Sequence, residues 1–147
     1  MAVITLNADA TTLKLNNTTL DSERVVTDLI AGDTIVIAPV NAQTSRTYSS
    51  DGVNIQRRVD RDVRTITFNV EKFGETDEFM NEALYNSDLC VFEGSIKTIY
   101  TSDTEQRTET YSFKGGSITT LPTDTKNNQD GNNVMAYVIE ARVTRDI

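Results

Sequence analysis

The sequence predicts a mainly β, α+β fold: an antiparallel β-sandwich or barrel with one short flanking α-helix and a long protruding β-hairpin. Three observations carry that expectation. Apolar and polar residues alternate along Asp62 to Glu71 and along Asn133 to Arg145. Helical spacing occurs convincingly once, between Thr76 and Ser87. Asp51-Gly52, a two-residue hairpin turn signal, sits inside a stretch too polar to bury itself. With 2 prolines, 7 glycines and 7% aromatics beside many threonines and valines, the composition agrees, and 147 residues suffice for a single domain spanning 1–147.

Taken in chain order, Val3 to Leu6 and Thr11 to Leu15 are short apolar stretches, separated by an expected turn at Asn7 to Ala10 and ended by Asn16-Asn17. Asp33 to Ala38 is a stronger strand, stopped by Pro39, which has no N–H for a central ladder. Asp62 to Glu71 is half-buried, with Ile66, Phe68 and Val70 facing one way and Thr65, Thr67 and Asn69 the other.

The helix, 76–87, places Phe79, Met80, Ala83 and Leu84 at helical spacing. Thr76 is its expected N-cap, with Asp77 and Glu78 in the first turn where the helix dipole favours negative charge. Three long strands follow, at Leu89 to Thr101, Thr108 to Leu121 and Asn133 to Arg145. In the last, Met135, Tyr137, Ile139, Ala141 and Val143 share the core face. In the middle one the apolar parity changes between Phe113 and Ile118, so a glycine bulge is expected at Gly115-Gly116. The polar segment Leu121 to Asn133 reads as an exposed excursion.

The stretch with functional content is Asn41 to Arg64, NAQTSRTYSSDGVNIQRRVDRDVR. Thr44, Arg46 and Tyr48 alternate on one arm and Val53, Ile55 and Arg57 on the other, with almost no apolar face for their own protein to cover. Arg46, Arg57, Arg58, Arg61 and Arg64 all fall in it, although the chain carries a formal net charge of −8. A basic arm on an acidic body points to self-assembly. The expected inter-subunit contacts are Arg46, Tyr48, Val53, Ile55, Arg57, Arg58, Arg61 and Arg64.

The chemistry of enzymes is not legible. Histidine is absent, which removes Ser-His-Asp and Cys-His arrangements and the common zinc sites. The single cysteine, Cys90, lies in the apolar run from Leu89 to Phe92 and reads as a small buried hydrophobe. Lys114 to Ser117 lacks the spacing of a phosphate loop, and Asp124, Asp130 and Asn132 lack the fixed ligand positions of an EF-hand. No catalytic residue, metal or cofactor is expected. A pI near 4.5 opposes duplex binding, and no run approaches the length of a membrane-spanning helix, so a soluble chain is expected.

The order of elements, with VVTDLIAGDTIVI at Val25 to Ile37, SSDGVNIQRRVDRDV at Ser49 to Val63 and TDEFMNEALYNSD at Thr76 to Asp88, resembles the tail tube proteins of bacteriophages, relatives of the inner tubes of contractile injection machines. The resemblance covers nearly the whole chain. It implies a structural virion protein that self-assembles into stacked hexameric rings, through whose lumen DNA passes during ejection without specific binding. It implies as partners other copies of the chain, the tail sheath, and baseplate or initiator and terminator proteins, with assembly in the host bacterial cytoplasm and residence in the virion tail. The alternative from another class is a monomeric β-sandwich binding module that displays the hairpin to a protein or carbohydrate ligand; the absence of tryptophan counts against sugar stacking.

Overall fold

The computed structural model describes residues 7–27, 29, 35–58, 62–85, 90–101, 105–126 and 133–147. Its strands are β1 (Asn7–Asn17), β2 (Ser22–Val26), β3 (Ile35–Pro39), β4 (Thr44–Tyr48), β5 (Asn54–Arg58), β6 (Val63–Glu71), β7 (Phe92–Thr101), β8 (Gln106–Ser117), β9 (Thr123–Thr125) and β10 (Val134–Asp146). The helix α1 (Glu75–Tyr85) lies between β6 and β7.

All but two strands form one antiparallel sheet in the order β2-β1-β7-β8-β10-β6-β3, with β9 added to β10. The sheet curls into a half-barrel, as the sequence predicts for a β fold with one helix. Strands β2 and β3 are the edges, and α1 packs against β2 and β6. Period-2 patterning decides which side faces in. Ile66, Phe68 and Val70 of β6 are buried, as are Tyr137, Ile139, Ala141 and Val143 of β10. Met80 and Ala83 of α1 join them, with Phe79 edge-on to Phe92 at 6.4 Å. Cys90 is buried, in keeping with its apolar run.

Several local expectations are corrected. No turn separates two strands at Asn7 to Ala10; β1 runs through it, and the irregularity is a register shift between Ala8 and Ala10 against β7. A single bulge residue there replaces a turn, so the polar Asn7-Ala8-Asp9 stretch stays in the ladder. Residues 3–6 lie outside the described part. Pro39 is the last residue of β3 and is compatible with the ladder because β3 is an edge. Strand β9, hidden in a polar segment, pairs with the start of β10.

Helix α1 starts at Glu75, so Thr76 is inside the first turn and is not the cap. Thr76 is fully buried, and its Oγ1 accepts a hydrogen bond from Arg24 Nε at 3.2 Å. A carboxylate does the capping from within the turn: Asp77 Oδ2 accepts the Phe73 amide at 2.9 Å. The expected end at Ser87 lies outside the described residues, the described helix closing at Tyr85.

The bulge at Gly115-Gly116 is present. Lys114 opposes Arg142 and Ser117 opposes Glu140, so two residues of β8 face the single Ala141. Gly115 has φ +63°, the left-handed conformation that glycine adopts without a Cβ penalty.

Candidate assembly interface

Among the described residues, strands β4 and β5 pair only with each other, forming a two-stranded ribbon outside the main sheet. The ribbon leaves the body at the Pro39/Val63 end of β3 and β6, where the Val40 amide donates to the Val63 carbonyl at 3.3 Å. Its turn is one residue longer than the expected two-residue loop. Ser49 N donates to Val53 O at 3.0 Å, which leaves Ser50, Asp51 and Gly52 as the loop, and Gly52 takes φ +85°. A three-residue loop closed by a left-handed glycine is the other common way to join two adjacent strands.

The register sorts the ribbon's side chains. Thr44 opposes Arg58, Arg46 opposes Gln56 and Tyr48 opposes Asn54, and directly opposed residues share a face. Arg46, Tyr48 and Arg58 therefore occupy one face. Thr47 opposes Ile55 and Ser45 opposes Arg57, so Val53, Ile55 and Arg57 lie on the other.

Both faces are bare. Tyr48 is 67% exposed, Val53 56% and Ile55 47%. All of β5 is exposed, and only Thr44 of β4 is partly covered. Among the described residues, Arg46, Arg57 and Arg58 have no ion-pair partner. An apolar and arginine-bearing surface with no intramolecular partner is the composition of a contact with another molecule.

Two of the expected contact residues fall elsewhere. Arg61 lies outside the described residues. Arg64 is in β6, opposite Pro39 and Ala141, half-buried, with its guanidinium 6.0 Å from the centre of the Tyr111 ring. It belongs to the body sheet, beyond the ribbon. The sequence alternation ran unbroken through the arm's return, so nothing in the pattern marked Val63 as the point of re-entry.

At the other end of β6 the chain turns through Lys72, Phe73 and Gly74 into α1. Glu71, Glu75 and Glu78 are exposed there. Asp77, in the same first turn, is engaged inward, accepting from Phe73 N and from the Tyr137 hydroxyl. Glu75 Oε2 accepts from Arg24 Nη1 at 2.6 Å, which ties the edge strand β2 to the helix. The edges β2 and β3 carry Val25 and Val36, both exposed. No group of three or more metal-ligating side chains occurs among the described residues, and no described helix is long and apolar enough to cross a membrane.

No protein-family model matches the chain, and no curated protein matches it by sequence. Solved structures do match in fold. A chain of the sheath-tube complex of an extracellular contractile injection system, PVC, in the extended state superposes with a TM-score of 0.60 at 13% identity, covering 92% of this chain and 87% of that one. A chain of the sheath/tube terminator of the PVC system in the extended state gives 0.59 at 14% identity, covering 95% and 94%. A chain of the 6-fold symmetrised baseplate of the anti-feeding prophage gives 0.51 at 8% identity, covering 92% and 91%. At such identities the likeness is one of fold.

Proposed function

We propose that this chain is a structural tube subunit of a phage tail or contractile injection machine. Copies join side by side into hexameric rings, the rings stack, and the lumen conducts DNA during ejection. The observation that carries this reading is the β4–β5 ribbon: a basic, partly apolar arm with no partner strand among the described residues outside itself, on a fold shared over most of its length with chains from sheath-tube and terminator assemblies.

Ring closure draws on the two sheet edges. Among the described residues, strands β2 and β3 each present one side without a partner strand, and joining one edge to the other edge of a neighbour is a heterologous contact that closes into a ring. Six-fold closure is favoured by the likeness to a chain of a 6-fold symmetrised baseplate. An acidic body, at net charge −8, suits a conduit that DNA slides through without sticking. The sheath, the baseplate or initiator and the terminator are the partners this role requires, and the virion tail, assembled in the bacterial cytoplasm, is the place. The role needs no catalysis.

Negative-stain electron microscopy of the concentrated protein tests the proposal. Rings of six-fold symmetry, alone or stacked into tubes, are the expected result. A chain that stays near 16.3 kDa by light scattering up to millimolar concentration overturns it and returns the ribbon to the role of a displayed binding loop.

A further inference from the structure

Phe73 is an exposed aromatic that its own fold does not reward. It is 81% exposed, and its backbone sits at φ +65°, a conformation that costs a bulky L-residue and that glycine would take freely. Yet it is held firmly. Its amide donates to Asp77 Oδ2 at 2.9 Å, the Lys72 amide donates to Asn133 O at 3.1 Å, and the Gly74 amide donates to Glu71 O at 3.2 Å. Lys72 Nζ lies 5.6 Å from the ring centre while pairing with Asp124 at 3.1 Å. The ring is thus displayed on a rigid corner, preorganised for contact with something outside the chain.

What it contacts follows from polarity along β6. The ribbon leaves the body at Val63, the first residue of that strand, and Phe73 follows Glu71, the last. The nine residues between them put the two features about 30 Å apart, at opposite ends of the sheet. The ends are complementary in chemistry. The ribbon brings Arg57 with Ile55 and Val53 on one face and Arg46 with Arg58 on the other, and none of the three arginines has an ion-pair partner among the described residues. The Phe73 corner brings an uncovered ring beside the exposed carboxylates of Glu71, Glu75 and Glu78. Guanidinium groups stack on aromatic rings and pair with carboxylates, and aliphatic side chains cover ring faces.

We infer that the Phe73 corner receives the β4–β5 ribbon of a second copy of this chain. Copies related by translation along β6 then present ribbon to corner repeatedly in the same sense, a heterologous contact that does not close and so propagates as a stack. The inference rests on the proposed tube function and names the receptor surface for its arm.

The test places the photo-crosslinking residue p-benzoylphenylalanine at position 73 and irradiates assembled protein made from equal parts isotopically light and heavy chain. Crosslinks from position 73 of one copy to residues 44–58 of another are expected. Assembled material that crosslinks elsewhere on a second copy, or not at all, overturns the receptor assignment while leaving the tube function standing; failure of the wild-type chain to assemble overturns both. Phe73→Gly supplies the second arm. Because it relieves a left-handed backbone and removes no buried surface, the monomer should melt at the same or a higher temperature, while the concentration needed for assembly rises about tenfold or more, as for a central aromatic anchor. Phe73→Tyr should restore assembly. An unchanged assembly threshold in Phe73→Gly overturns the inference.

Discussion

The hydroxyl of Tyr137, in the first part of the last strand, donates a hydrogen bond to Oδ1 of Asp77 in the first turn of the helix. The other carboxylate oxygen of Asp77 accepts the Phe73 amide at 2.9 Å, so one side chain fastens the helix start to both the sheet core and the Phe73 corner. Tyr137 is fully buried and stacks on Phe68 at 6.0 Å between ring centres. Burial first, and the bond to Asp77 second, push its phenol well above the usual tyrosine range.

That shift sets an alkaline limit on stability. In the unfolded chain the phenol ionises near its ordinary pKa of about 10, whereas in the folded chain it keeps its proton to higher pH. The contribution is therefore fully present below pH 10 and is lost as pH rises from there toward the folded value. Tyr137→Phe should cost about 1 kcal/mol at pH 7 through the lost hydrogen bond. Above pH 10 the difference between wild type and variant should shrink by up to about 1.4 kcal/mol per pH unit. Urea titrations of both proteins from pH 7 to 11 give the answer, and parallel curves would show that Asp77 does not hold the phenol.

Three glycines should rank by what surrounds them. A Cβ on Gly94 would stand 2.0 Å from the carbonyl oxygen of Lys14 in the neighbouring strand, an overlap that only a backbone shift can relieve. On Gly116 the nearest atom is Ile139 Cγ2 at 2.8 Å, on a buried side chain, with the Phe92 carbonyl oxygen next at 3.1 Å, a milder overlap than at Gly94. Gly115 has nothing within 4 Å but a φ of +63°. Gly94→Ala should destabilise by about 3 kcal/mol, Gly116→Ala by about 2 and Gly115→Ala by about 1, measured by chemical denaturation of the monomer. A Gly94→Ala protein as stable as wild type would mean that β1 and β7 do not approach this closely.

The parts of the fold that could be read in the sequence are those where one face is buried and the other is not. Ile66, Phe68 and Val70 alternate with Thr65, Thr67 and Asn69 because β6 has a core side and an outer side, and β10 repeats the pattern. The bulge at Gly115 was readable because a one-residue slip moves every later side chain to the other face. β2 and β9 left no such trace: SERVV and TDT are short, mostly polar strands at or near an edge. The start of the helix was misassigned because Thr76 has the side chain of a cap, while its burial beside Arg24 is a tertiary contact that no local rule contains. In the candidate interface, the arm showed itself by what it lacked, a core face. Phe73 did not, since an isolated phenylalanine before glycine looks like any other core residue until its exposure and backbone are known.

The ribbon's order should depend on assembly. Its ladder is β4 against β5 alone, with both faces in solvent, and an isolated two-stranded hairpin is marginal in water. Ordering it costs about 1 to 2 kcal/mol per residue in backbone entropy, which so little apolar surface does not offset. Amides of residues 44–58 should exchange within seconds in the monomer, slow markedly in tubes, and do so while the β6 and β10 amides remain protected in both states. Equal protection of the ribbon in the two states would make it a self-sufficient element of the monomer.

Charge reversal on the ribbon should separate assembly from folding. Arg57 and Arg58 are adjacent in β5 and exposed, so they point to opposite faces: Arg57 lies with Ile55 and Val53, and Arg58 lies with Arg46 and Tyr48. Whichever face meets the neighbour, one of the two arginines is in the contact. Replacing both by Glu sets carboxylate against an acidic partner surface, and a like-charge juxtaposition there costs several kcal/mol. In the monomer both side chains are in solvent and have no ion-pair partner among the described residues, so stability should move by less than about 0.5 kcal/mol. The double variant Arg57→Glu, Arg58→Glu should therefore melt like wild type and yet fail to form tubes by electron microscopy, and added salt, which screens exposed charge, should restore part of the assembly. The single variants then assign the face. If only Arg57→Glu blocks assembly, the Ile55 side is the contact; if only Arg58→Glu does, it is the Tyr48 side; and normal tubes from the double variant would place both arginines in solvent and leave the ribbon without an assembly role.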